Sequence, residues 1–134
     1  MKSEVALIRL EVLAPFMAEP VIAYVRKGCL TCKRALDYMQ ERGIESEVVD
    51  LFQRPLTRER LKNLLQLLGL RPSELLRPRD RMYRELDLKN RHLADEELIE
   101  LMLRHPGLIK RPIIVQGNRA VVALKPHQVE ELLS

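Results

Sequence analysis

The sequence predicts an α/β domain: a small mixed β-sheet flanked by helices, with a helical insert between the second strand and a C-terminal hairpin. Three observations carry that expectation. The β-forming run Val21-Ile-Ala-Tyr-Val25 gives way to a helical pattern with Ala35, Leu36 and Met39 on one face. A second apolar run at 45–51 follows, and Gly117-Asn118 separates two further apolar runs at hairpin spacing. A helix between the first two strands lets them lie parallel, whereas a hairpin must be antiparallel, so the sheet is mixed.

Bulk composition sets the outer limits. A chain of 134 residues is one domain by length and buries a core without staples, so its two cysteines are not needed as scaffolding. With 46% hydrophobic and 31% charged residues it reads as a soluble globular protein, and no apolar run approaches the length of a membrane span. The net charge of +4 suits an oxyanion substrate or an acidic partner. Lysines and arginines are scattered, however, with few aromatics between them, which argues against direct nucleic-acid binding.

Residues 1–19 are read as an N-terminal extension and 20–134 as the domain. In 3–13, Ile8, Leu10 and Val12 alternate with Arg9 and Glu11, as in an edge strand; the alternative is a mobile leader upstream of Met17, a possible natural start. Lys2 before Val5-Ala-Leu-Ile8 begins like a secretory signal, but Arg9 and Glu11 interrupt it and no small-residue cleavage site follows. A cytoplasmic protein is therefore expected, in which a close cysteine pair serves catalysis, redox sensing or metal binding.

From Pro20 onward the elements follow one another closely. Val21 to Val25 reads as a buried strand, and the helix after it ends near Gly43 with Lys33, Arg34, Asp37, Gln40 and Glu41 toward water. In the second strand, 45–51, Val48 and Val49 are the expected buried residues. Pro55 marks a turn, and Thr57 caps a helix whose Leu61, Leu64, Leu65 and Leu68 form an apolar stripe up to Gly69. Pro72 and Ser73 start a short helical piece running into Arg77-Pro-Arg-Asp-Arg81, expected as an exposed loop. Met82, Tyr83, Leu86 and Leu88 mark another short helix, and 95–103 a strong one with acidic residues in its first turn, stopping around His105-Pro106-Gly107. A strand over 108–115, its return over 120–124 and a closing helix over 126–133 complete the chain.

The chemistry concentrates in Tyr24-Val-Arg-Lys-Gly-Cys29-Leu-Thr-Cys32-Lys-Arg, where a strand meets a helix. Cys29 falls at the first helical turn, where unpaired N–H groups and the positive end of the macrodipole favour a thiolate. Lys27, Lys33 and Arg34 add positive charge. In such settings a cysteine pKa drops from about 8.5 to roughly 3.5–7.5. Cys32, one turn on and more shielded, is placed to resolve an adduct on Cys29 as a disulfide. A Cys-x-x-Cys at the first strand-to-helix turn of an α/β chain looks like a thioredoxin-like fold.

The chain also carries His105-Pro-Gly-Leu-Ile-Lys-Arg111-Pro112-Ile-Ile-Val115, and the combination resembles the arsenate reductase and Spx family over about residues 20–133. The resemblance implies that Cys29 is the nucleophile toward arsenate and that Arg111 and the insert residue Arg77 hold the oxyanion. Arg79 is the better match to an insert arginine of the Spx type. Pro112 stands where thioredoxin-like folds place a cis proline facing the active cysteine. No bound cofactor is implied; glutaredoxin with glutathione, or thioredoxin, would serve as external reductant. Two departures stand out: Lys125 occupies the third arginine position of the arsenate reductases, and those enzymes lack a cysteine at the place of Cys32. Spx-type regulators do carry Cys-x-x-Cys, and on that side the resemblance implies a redox switch that binds the RNA polymerase α subunit.

Plainer readings stand beside these. The cysteines could be idle buried thiols, and zinc would want ligands that the dispersed His92, His105 and His127 do not supply. Arg77, Arg79, Arg111 and Lys125 could be solvated surface. His105 reads as closing a helix, and Glu96 and Glu97 as helix-start residues.

Overall fold

The computed structural model describes residues 19–133, so the edge strand or leader expected over 3–13 lies outside the described residues. β1 (Val21–Val25), α1 (Leu30–Glu41) and β2 (Ser46–Asp50) form a βαβ unit with β1 and β2 parallel, Ala23 opposite Val48. The insert follows: α2 (Arg58–Leu68), a 3₁₀ turn at Pro72–Leu75, α3 (Arg81–Glu85), a 3₁₀ turn at Leu88–Asn90, and α4 (Asp95–Arg104). A third 3₁₀ turn, Pro106–Leu108, leads to the antiparallel hairpin of β3 (Ile113–Gln116) and β4 (Arg119–Val122), and α5 (Gln128–Leu133) closes the described chain. The sheet order is β2-β1-β3-β4, with β3 antiparallel to β1, the thioredoxin-like arrangement that the sequence predicts.

Strand periodicity divides the core between the two faces of this sheet. Tyr24, Val49, Ile113 and Val115 pack toward the insert, against Leu61 and Leu64 of α2 and Met102 of α4. Ala23, Val25 and Ile114 pack toward α1 and α5, against Cys32, Ala35, Met39, Val129 and Leu132. β3 is buried on both faces, which is why it reads as a continuous apolar run rather than an alternating one. Thr57 caps α2 by accepting from the Arg60 N–H, and Arg60 in turn donates to the Tyr24 hydroxyl at 2.8 Å, tying the insert to β1.

Three expectations change in the structure. Val49 is buried but Val48 is 49% exposed, because β2 is an edge strand and successive side chains leave it on opposite faces. The strand expected from 108 begins only at Ile113: Pro112 has no N–H to give a ladder, and the residues before it make a 3₁₀ turn and one isolated bridge, Leu76 to Ile109. The loop at 77–81 is less exposed than its charge implies. The Arg77 N–H donates to the Leu108 carbonyl at 2.7 Å, and the Lys110 N–H to that of Leu75 at 2.9 Å, so the insert is sewn to the segment before Pro112.

Candidate active site

Cys29 is the N-cap of α1. Its backbone is extended, its own N–H donates to the Arg26 carbonyl at 3.1 Å, and its sulfur accepts from the Cys32 N–H at 3.4 Å. The sulfur thus takes the role a serine or aspartate oxygen plays at most helix starts, satisfying a donor that the helix leaves open. Gly28 makes the turn into this position with φ +85°, a conformation in which a side chain would be strained. Cys29 remains partly exposed while Cys32 is buried; the two are free thiols.

Across from the turn lies Arg111, joined to Pro112 by a cis peptide bond and only 6% exposed. One guanidinium nitrogen donates to the Gly107 carbonyl at 3.2 Å, and the buried Nε has no partner in the protein. A buried guanidinium with an open donor is costly unless an anion completes it. Arg77, from the insert, shares this region. Burial and the neighbouring Arg111 charge push its pKa down, while Asp80 and Cys29 pull the other way. Asp80 stands 3.8 Å from Arg77, caps α3 through the Met82 N–H, and packs so tightly on Gly107 that a Cβ there would clash with its Oδ1.

These surroundings split the two thiols. Burial alone would raise the Cys29 pKa, but the Cys32 thiol and amide and the Arg111 guanidinium, through its N–H groups and its charge, outweigh it and hold the pKa below the ordinary value. Cys32 is pushed up to about 12, chiefly by burial and then by the hydrogen bond to Cys29. The pair therefore consists of one thiolate-prone, accessible sulfur and one protonated, buried sulfur a helical turn away.

Of the residues singled out from sequence, Cys29, Cys32, Arg77 and Arg111 interact at this site, and Pro112 is joined to it through the cis bond to Arg111. Arg79 and Lys125 are exposed, and among the described residues no hydrogen bond or ion pair joins their side chains to the site. Lys33 is paired with Asp37 at 2.7 Å rather than aimed at Cys29. Among the described residues no group of three His, Cys, Asp or Glu is placed to hold a metal ion, and no helix is long and apolar enough to cross a membrane.

Asp50 was not visible from sequence as a site residue. Its carboxylate accepts from the N–H groups of Lys27 (2.8 Å), Phe52 (2.8 Å) and Gln53 (3.3 Å), and the Phe52 and Lys27 bonds lead in lowering its pKa. It thereby pins the β1–α1 turn two residues before Cys29. Phe52, held by the same carboxylate, stacks on the Arg26 guanidinium at 4.1 Å, and Arg26 is the residue whose carbonyl holds the Cys29 N–H. The signal within the sequence was local, an aspartate two and three residues before the N–H groups it accepts from, whereas its tie to the cysteine turn comes only from the register that sets Asp50 opposite Val25. Asp80 escaped for a different reason, since only the folded insert brings it beside Gly107.

Comparison with known proteins places this geometry. The profile of the ArsC family matches residues 24–132. A protein named YfgD from Escherichia coli (strain K12) is 34% identical over 118 residues, covering 87% of this chain and 99% of that one. The solved structure of an arsenate reductase from Vibrio cholerae superposes with a TM-score of 0.80 at 32% identity, covering 85% of this chain and 98% of that one. A global transcriptional regulator Spx from Lactiplantibacillus plantarum is 27% identical over 113 residues, covering 84% of this chain and 86% of that one.

Proposed function

The chain belongs to the ArsC family, a family of thiol-dependent oxidoreductases, and from that premise we propose that it reduces an oxyanion, arsenate, through Cys29 and Cys32. The observation that carries this reading is Arg111: a buried guanidinium with an open donor beside a cysteine whose pKa is lowered. An arsenate approaching a thiolate is repelled by it, and forked, permanently charged donors offset that repulsion better than lysine does.

In this reading the Cys29 thiolate attacks arsenic and displaces an oxygen as water, with Arg111 and Arg77 holding the remaining oxygens. Cys32 then attacks the Cys29 sulfur. The Cys29–arsenic bond breaks, its electron pair stays on arsenic as arsenite, and a Cys29–Cys32 disulfide remains. The Cys32 proton leaves as its sulfur attacks, so the high pKa keeps Cys32 inert until Cys29 carries an adduct. A dithiol reductant of the thioredoxin or glutaredoxin type restores both thiols. Arg79 and Lys125, both exposed, have no role in this reading.

The test is arsenate-dependent oxidation of NADPH by the purified protein with thioredoxin and glutaredoxin systems in parallel. Turnover that disappears in Cys29→Ser and Arg111→Ala is the expected result; no turnover with either donor would remove arsenate as the substrate. The adjacent cysteine pair also favours a second reading, a Spx-like redox switch that contacts the RNA polymerase α subunit. Absence of binding to that subunit in both redox states would eliminate it.

A further inference from the structure

Cys29 has two sides, and they differ in chemistry. One faces Arg111 and, beyond it, Arg77. The other opens onto a groove of about 560 Å³ between α1 and the end of β2, which neither Arg77 nor Arg111 borders. Four large apolar side chains stand exposed among the described residues, and two of them, Leu30 (59%) and Val48 (49%), line this groove. A third, Phe52 (43%), stacks on Arg26, which also lines it. Exposed apolar side chains gathered around a reactive atom mark a contact surface rather than scattered surface composition.

The charges around the groove define the complement. Arg26, Lys27, Lys33 and Arg54 line it, against Asp37 and Asp50. Lys33 and Asp37 pair with each other, and Asp50, its oxygens held by backbone N–H groups, keeps its charge, so the four cations of the lining outnumber its two anions. Arg54 leans to Glu47 at 3.5 Å, outside the lining. The surface presented to a visitor is thus apolar at its floor and positive at its rim, with Cys29 at one end.

We propose that this groove docks the cysteine-bearing segment of a dithiol reductant protein, one that presents apolar side chains flanked by carboxylates, while the oxidised substrate is served from the arginine side. The proposal deepens the reading above and rests on its Cys29–Cys32 disulfide. A thiolate of the reductant, seated in the groove, attacks the Cys29 sulfur and the Cys29–Cys32 bond breaks. The second thiol of the reductant then attacks its own mixed-disulfide sulfur and releases reduced Cys29; two electrons and two protons pass from reductant to protein. Charge complementarity selects an acidic partner and steers its approach. Separating the two faces also leaves the arginines free of the reductant's carboxylates, which would otherwise compete with an anionic substrate.

The experiment uses the pre-oxidised protein, so no arsenate chemistry enters. Wild type and Leu30→Gln/Val48→Thr are converted to the intramolecular disulfide, confirmed by mass, and reduced under second-order conditions by thioredoxin in one arm and dithiothreitol in the other. Both substitutions keep a side chain of similar size without adding charge beside Cys29, and circular dichroism verifies the fold. Removing apolar contact at an interface of this kind slows the thioredoxin arm by about five- to tenfold, with the dithiothreitol arm within about twofold of wild type. Loss in both arms, loss in neither, or loss confined to dithiothreitol overturns the groove as the docking face. Failure of the wild type to form the intramolecular disulfide at all would instead overturn the role of Cys32, and the mass measurement separates the two failures.

Discussion

The β1–α1 turn and the segment ahead of Pro112 meet at one sulfur but are built in opposite ways. The turn is local: Arg26, Gly28, Cys29 and Cys32 lie within seven consecutive positions, and hydrogen bonds among them create the N-cap, while packing of α1 on the sheet shields the second thiol. The other half is assembled over a long loop. Arg77 comes from the insert and Arg111 from the lead into β3, and they are brought together by the Leu108 and Leu75 carbonyls, the Leu76–Ile109 bridge and the Asp80–Gly107 contact. The difference teaches that the nucleophile is supplied by short-range structure and its charge environment by tertiary structure. Mutations in the two halves should therefore fail differently.

The largest effect is expected at the local half. Cys29→Ser removes the attacking sulfur and should abolish turnover with any oxidised substrate, with thermal stability near wild type, since the side chain caps α1 through an oxygen equally well. Next comes the long-range half. Arg111→Ala removes both charge and donors from a buried site and should lower kcat/KM by about 10²-fold or more, and Arg111→Lys should not restore it, because a point charge lacks the fork. A loss in Arg111→Ala smaller than severalfold would dissolve the distinction between the halves.

Asp50 sharpens the comparison because its effect has a diagnostic sign. Neutralising an acid near a thiol lowers the thiol's pKa if the acid acts through space. If Asp50 acts by anchoring the turn at Lys27, losing it frees the N-cap and raises that pKa. Asp50→Ala is expected to raise the midpoint of Cys29 alkylation and slow the reaction at pH 7 by roughly three- to tenfold, with Asp50→Asn between it and wild type, as the amide oxygen keeps one side of the hydrogen bonding. A downward shift would reassign Asp50 to simple electrostatics. The smallest effect belongs to Gly107→Ala: the new methyl displaces the Asp80 carboxylate and loosens Arg77, lowering Tm by about 3–8 °C and turnover by a few-fold at most.

The same division explains what was legible beforehand. The strand–helix–strand order, the hairpin at Gly117-Asn118 and the asymmetry of the two cysteines follow from patterns of a few residues, and the sequence alone was enough for them. Arg111 and Arg77 were reachable only through resemblance, because nothing within their own segments distinguishes a buried guanidinium from a solvated one. Arg79 shows the converse, being similar in local chemistry to Arg77 yet exposed. Asp50 and Asp80 were missed because their links to the site form only on folding: Asp50 reaches the Lys27 N–H from the end of β2 and Asp80 meets Gly107 from the insert, whereas their bonds to Phe52, Gln53 and Met82 are local. Val48 was misassigned because the sequence of β2 does not say that it lies at a sheet edge.

The central claim is that the pKa of a locally built cysteine, lowered first by Cys32, is lowered further by an arginine supplied from a distant segment of the chain. The pH dependence of Cys29 alkylation by iodoacetamide, in wild type and in Arg111→Ala with Cys32 left intact, tests it most directly. Because the surroundings favour the thiolate, the wild-type midpoint is expected below the ordinary thiol value of about 8.5, and Arg111→Ala should move it upward, slowing alkylation on the acidic side of the profile. A wild-type midpoint at the ordinary value, or one that does not move when Arg111 is removed, would contradict the account.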